Sequence, residues 1–229
     1  MFLSNSDIVA YHGGSVMVEL GRPGAMRPLT AASLHAALFG SGQFELTAPE
    51  QTRTEDKPWQ DPGTFEAEPP SEPADPWSWH NATPVIEGRS WGGNLEILSW
   101  LLMVDREIIP TAEYQGRVLF LETSEEMPRA EEVYRILRNI GERGLLQQFP
   151  ALLMGRAKAW SFQLRYDTEQ RAEYRRNQRQ AVLRALSEYA PDMLAVFDID
   201  LGHTDPQLVI PYGGTVTVDG RARRITVMY

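Results

Sequence analysis

The chain has 229 residues, of which 42% are hydrophobic and 23% charged, the balance of a globular protein with room for one large domain or two small ones. Its 22 basic against 31 acidic residues leave a net charge of -9, which speaks against a nucleic-acid partner, because phosphate binding rests on clustered Lys and Arg. Cysteine is absent, which excludes disulfides, thiolate metal sites and cysteine nucleophiles. No basic-then-apolar leader opens the sequence and no stretch approaches the ~20 apolar residues of a membrane span, so a cytoplasmic protein without a membrane partner is expected.

Phe2-Leu3 reads as the end of a strand that runs into Ser6-Asp7 and then a turn or helix. Thr30 has the character of an N-cap for a helix over 31–39, with Gly40 placed to end it. Residues 1–47 are too few for a domain of their own. From 48 to 83 the composition shifts to proline, acidic residues and the aromatics Trp59, Phe65, Trp77 and Trp79, as in a long loop or linker whose tryptophans pack or bind.

From residue 84 onward strands and helices alternate regularly. Val85–Arg89 is strand-like, Gly92-Gly93 marks a junction, and Asn94–Met103 suits a buried helix. Strands are expected at Arg117–Glu122, Ala151–Met154 and Leu194–Ile199, and helices at Glu125–Arg143 and Thr168–Tyr189. The first of these two helices sets Val133, Ile136, Leu137 and Ile140 on one stripe; the second carries Arg171, Arg175, Arg176 and Arg179, which read as a solvated face. Leu208–Ile210, Thr215–Val218 and Arg224–Val227 close the chain as strands, the last two joined by the hairpin signal Asp219-Gly220. The expectation is an α/β domain over 84–229 with a β-rich end and a mixed sheet.

A serine hydroxyl is a weak nucleophile at neutral pH unless an imidazole takes its proton and an acid fixes that imidazole's tautomer. Ser6, His203 and Glu122 are the right residue types, and a serine at a strand-to-helix turn would aim the backbone N–H of Asp7 at a developing oxyanion. Each also has a plainer reading: Ser6-Asp7 as a helix N-cap pair, His203 as a loop histidine, Glu122 as a carboxylate at a sheet edge. His12, His35 and His80 lack a partner at metal-ligand spacing, so no metal is expected.

Four stretches together resemble the serine LD-carboxypeptidases and their relatives, the microcin C self-immunity peptidases. They are Phe2-Leu3-Ser4-Asn5-Ser6-Asp7, Glu87-Gly88-Arg89-Ser90-Trp91-Gly92-Gly93-Asn94-Leu95, Val118-Leu119-Phe120-Leu121-Glu122, and His203-Thr204-Asp205-Pro206-Gln207-Leu208-Val209-Ile210-Pro211-Tyr212-Gly213. They occur in the family's order. The resemblance implies a catalytic triad of Ser6, Glu122 and His203 with the Asp7 N–H as an oxyanion donor, working without metal or cofactor in a cytoplasmic homodimer. It implies as substrate an amide bond in a murein tetrapeptide, in peptidoglycan recycling, or in a peptidyl or aminoacyl adenylate. It further implies that Phe65 or Trp59 stacks on a nucleobase.

Where the family has Gly-aromatic before the nucleophile this chain has Ser4-Asn5, and Thr123 follows Glu122 where the family often has Asp. The family's flavodoxin-like N-terminal domain precedes its nucleophile, so residues 1–47 are expected to be a remnant of it, 48–83 a linker, and 84–229 the LD-carboxypeptidase-like C-terminal domain. The alternative expectation is a truncated, inactive remnant that acts at most as a binding or dimerisation module.

Overall fold

The structure, a computed structural model of the chain, describes residues 8–68 and 70–229. In chain order its strands and helices are β1 (Ala10–His12), α1 (Pro28–Phe39), β2 (Gln43–Leu46), β3 (Gln51–Thr52), β4 (Glu72–Pro73), β5 (Ser78–His80), β6 (Val85–Asn94), α2 (Leu95–Val104), β7 (Val118–Glu122), α3 (Ala130–Glu142), β8 (Ala151–Gly155), α4 (Thr168–Tyr189), β9 (Leu194–Ile199), β10 (Ile210–Tyr212), β11 (Thr215–Asp219) and β12 (Arg224–Met228). Eight strands form one mixed sheet in the order β2-β12-β11-β6-β7-β8-β9-β5. Its centre, β6 to β9, is parallel, and antiparallel strands flank it on both sides.

The parallel centre explains why β7, β8 and β9 are nearly continuous apolar runs: both faces are covered. Alternate residues Leu119, Leu121, Leu152, Met154, Ala195 and Phe197 meet α2, α3 and α4 on one face. Val118, Phe120, Ala151, Leu153, Leu194 and Val196 point the other way, into a second core completed by the antiparallel strands. Each Val, Leu, Met or Phe among them contributes about 1.5–3 kcal/mol on leaving water.

Several elements differ from the sequence expectation. Strand β6 continues through Gly92-Gly93 to Asn94, pairing antiparallel with β11 in its first half and parallel with β7 in its second. Gly92, at φ 146°, lies so close to β7 that a Cβ would stand 1.7 Å from the Phe120 carbonyl oxygen, so the glycine permits the continuation. Helix α1 begins at Pro28, the first-turn position where proline loses nothing. Thr30 does not cap it; its hydroxyl accepts from the Gln207 N–H at 3.0 Å. Helix α3 starts at Ala130, because Pro128 disfavours helix in the residue before it and Met127 is left-handed at φ 56°. Strand β10 starts at Ile210 and pairs with β1. The β11–β12 hairpin turns through four residues, with the Asp219 carboxylate accepting from the Ala222 N–H at 2.9 Å.

Of the four α4 arginines expected to face solvent, Arg176 does so and Arg171, Arg175 and Arg179 do not. Arg171 donates to Glu55 at 2.9 Å and stands 3.3 Å from Glu72, while Arg175 donates to Thr54 at 2.8 Å. Arg179 pairs with Asp198. The acidic loop and the basic helix answer each other in charge, and α4 holds the loop down. Trp77 and Trp79 pack on the second core, and β5 adds that end of the loop to the sheet beside β9.

Candidate active site

The central strands all deliver their carboxyl ends to one side, the edge at which open α/β sheets bind ligands. Asn94 ends β6, Glu122 ends β7 directly beside it in register, Arg156 follows β8, and Asp200 begins the turn after β9 that carries His203. Glu122 is 2% exposed. Its Oε2 lies 2.7 Å from His203 Nδ1, which brings together two residues separated by 81 positions in the chain.

The turn is shaped to permit this contact. Gly202 sits at φ 103°, and a Cβ there would come within 2.8 Å of both Glu122 Cβ and Oε2, so a side chain would meet both backbone strain and collision. Beneath the turn, Arg156 Nε donates to Asp200 at 3.0 Å with both side chains fully buried. Trp77 Nε1 donates to the other Asp200 oxygen at 2.8 Å. Burial pushes the Asp200 carboxyl up despite Arg156. On the β7 side, the Glu96 carboxylate accepts from both N–H and Oγ of Ser124, at 3.0 and 2.7 Å, which fixes the chain leaving Glu122.

Burial acts to raise the Glu122 carboxyl, but the hydrogen bond and charge of His203, the Asn94 side chain and the charge of His12 together hold it below its ordinary value. For His203 burial acts downward, and the hydrogen bond and charge of Glu122 with the charge of Glu125 overcome it and raise the imidazole. Its outer nitrogen, Nε2, stands 2.8 Å from Glu125 Oε2. An imidazole facing a carboxylate at each nitrogen donates to both only in its protonated form.

Glu122 and His203 border a cavity of about 770 Å³, and Trp59 and Phe65 line the same space. Their rings are 6.1 Å apart and each is about half exposed. Trp160 and Phe162 add a second aromatic pair, with centroids 4.9 Å apart. Ser6 and Asp7 lie outside the described residues.

Four neighbours escaped the sequence reading. Asn94 accepts from the Ile97 N–H at 2.9 Å, capping α2 while its side chain also bonds Glu122. His12 follows no chemical motif, yet it borders the cavity, its ring 5.5 Å from that of Phe120 and its pKa lowered chiefly by burial. Glu125, by contrast, could have been sought by looking just past a strand's carboxyl end. Lys158, just past β8, could have been found in the same way; it pairs with Asp56 from the long loop.

The family described as LD-carboxypeptidase C-terminal domain matches residues 87–218. The chain belongs to the LD-carboxypeptidase family. Comparison with curated protein sequences gives no match. Among solved structures, an MccF-like protein from Streptococcus pneumoniae in complex with AMP superposes with a TM-score of 0.78 at 17% identity, covering 97% of this chain and 64% of that one. The microcin C7 self immunity protein MccF in complex with aspartyl sulfamoyl adenosine gives 0.78 at 18%, covering 99% and 63%. An MccF-like protein from Bacillus anthracis gives 0.72 at 15%, again covering 99% and 63%. These likenesses establish the MccF-like LD-carboxypeptidase fold, a mixed α/β sheet with the C-terminal domain present. The chain spans less than two thirds of the length of these LD-carboxypeptidase relatives.

Proposed function

We propose that the chain carries the machinery of a serine peptidase of the microcin-immunity type. The observation that carries this reading is the Glu122–His203 hydrogen bond at the edge of a large, aromatic-lined cavity. In this reading His203, freed of its outer contact and neutral, takes the Ser6 proton at Nε2 as Ser6 Oγ bonds to the carbonyl carbon of an amide. Glu122 fixes the Nδ1–H tautomer and stabilises the imidazolium. The Asp7 N–H receives the oxyanion. As the C–N bond breaks, the leaving amine takes the proton from Nε2; water, deprotonated by His203, then attacks the acyl-serine ester, and as its C–O bond breaks the imidazolium returns that proton to Ser6 Oγ.

The substrate is a small amide, either a murein tetrapeptide or an aminoacyl or peptidyl adenylate. The paired rings Trp59 and Phe65 favour the adenylate, because a flat base stacks on an aromatic face. The reading includes a homodimer in the cytoplasm. The Glu125 contact at Nε2 favours a second reading, a binding module with an idle histidine, since it occupies the nitrogen that must accept the serine proton.

Labelling with a fluorophosphonate, with Ser6→Ala as control, separates the two. Covalent labelling of the intact chain that disappears in the variant supports the peptidase. Absent labelling, together with no amino acid released from aspartyl sulfamoyl adenosine or a murein tetrapeptide, supports the binding module.

A further inference from the structure

The cavity has a basic end that the triad does not use. Arg53 is 93% buried by its 7% side-chain exposure, and it lines the cavity. Its backbone is fixed to the histidine turn: Arg53 N donates to the Asp205 carbonyl at 2.7 Å, and Asp205 N returns a bond to Arg53 at 3.3 Å.

The side chain is otherwise poorly served. Its nearest carboxylates, Asp205 at 3.7 Å and Asp56 at 3.9 Å, stand beyond hydrogen-bonding distance. Both are claimed by other cations: Asp205 is bonded by Arg22 and approached by Arg27 at 3.4 Å, and Asp56 is bonded by Lys158. Arg53 Nε has no hydrogen-bond partner among the described residues. A guanidinium carries five N–H donors and never loses its charge, so leaving it buried without a strong acceptor is costly. An anion that offers two oxygens to accept parallel hydrogen bonds, a carboxylate or a phosphate, removes that cost.

We propose that Arg53 is an anion subsite of the cavity and takes a carboxylate or phosphate group of the ligand. The proposal rests on the cavity being the ligand site of the peptidase reading. Its place beside the histidine turn gives a ligand three features: an amide facing His203, a flat or apolar body against the aromatic walls, and an anionic group held at Arg53. Lys158 lies close enough to His203 to oppose its protonation, and its own charge is met by Asp56.

The test is calorimetric titration at constant ionic strength with two matched pairs: adenosine monophosphate against adenosine, and N-acetyl-D-alanine against its amide. The anionic member of at least one pair is expected to bind about tenfold more tightly than its neutral partner. Arg53→Gln is expected to abolish that preference and leave the neutral ligand's affinity unchanged. Preference in the first pair alone identifies phosphate, and in the second alone carboxylate. No preference in either pair, or a preference that survives Arg53→Gln, overturns the proposal. If Arg53→Gln does not fold, Arg53→Lys, which keeps the charge without the fork, is expected to lose about threefold or more of the preference, and an unchanged preference overturns the proposal. Fluorophosphonate labelling does not depend on this subsite. Labelling without anion preference therefore removes the subsite alone, and anion preference without labelling removes the peptidase alone.

Discussion

His203 stands between two carboxylates with different surroundings. Glu122 is buried and braced by Asn94, whereas the Glu125 side chain is 59% exposed. The inner contact therefore orients the ring permanently, and the outer one can yield to a ligand. Both raise the imidazole above its ordinary value near 6.5. In a Glu125→Gln variant, His203 is expected to titrate at lower pH than in the parent, and the acidic limb of any hydrolysis to move down with it. Proton-detected NMR of labelled histidine reads the midpoint directly, and an unchanged midpoint contradicts the role given to Glu125. The stability linked to His203 is fully present below the unfolded value near 6.5 and is lost as pH rises through the raised folded value. For Glu122 the sign reverses: its contribution is present above the ordinary value of 4.5 and is lost as pH falls through the depressed folded value. At this scale residue types were legible in the sequence, because a histidine in a turn after a strand and a glutamate ending one are local patterns. Asn94, His12 and Arg53 were not, since what gives them meaning is an approach across the fold.

At the scale of elements, legibility followed locality. Helix α4 occupies the expected Thr168–Tyr189, where Asp167 and Gln170 close a capping box. The central strands were readable because burial on both faces leaves an uninterrupted apolar run. What failed was the fate of Arg171, Arg175 and Arg179, because a charged stripe reads alike whether it meets water or carboxylates. Replacing Arg171 and Arg175 together by Ala is expected to leave the sheet intact and release residues 50–72 from α4. Hydrogen exchange in that segment would rise, with a loss of about 1–3 kcal/mol in denaturant melts. Unchanged exchange in that segment contradicts α4 as its anchor.

At the scale of the whole molecule, the sheet's two cores and the cavity meet at the turn after β9. The buried Arg156–Asp200 pair lies under that turn, and its Asp75 carbonyl contact at 2.9 Å ties in the long loop as well. Replacing Asp200 by Asn leaves a buried guanidinium without its counter-charge, and a loss of about 3–5 kcal/mol is expected. Chemical denaturation would measure it, and a change below about 1 kcal/mol would mean that the pair is not what supports the turn.

The loop's attachment to the histidine turn has a kinetic side. Thr52 Oγ1 donates to the Asp205 carbonyl at 3.1 Å across 153 positions of sequence. Closing so long a segment costs more entropy than pairing the neighbouring parallel strands β6 to β9, whose partners lie only tens of residues apart. The parallel centre of the sheet and its helices are therefore expected to form before the wall containing Arg53, Trp59 and Phe65. In refolding, tryptophan signals from Trp91 in the helix-covered core would recover ahead of those from Trp59, and the capacity to hold a ligand would be the last property the molecule acquires.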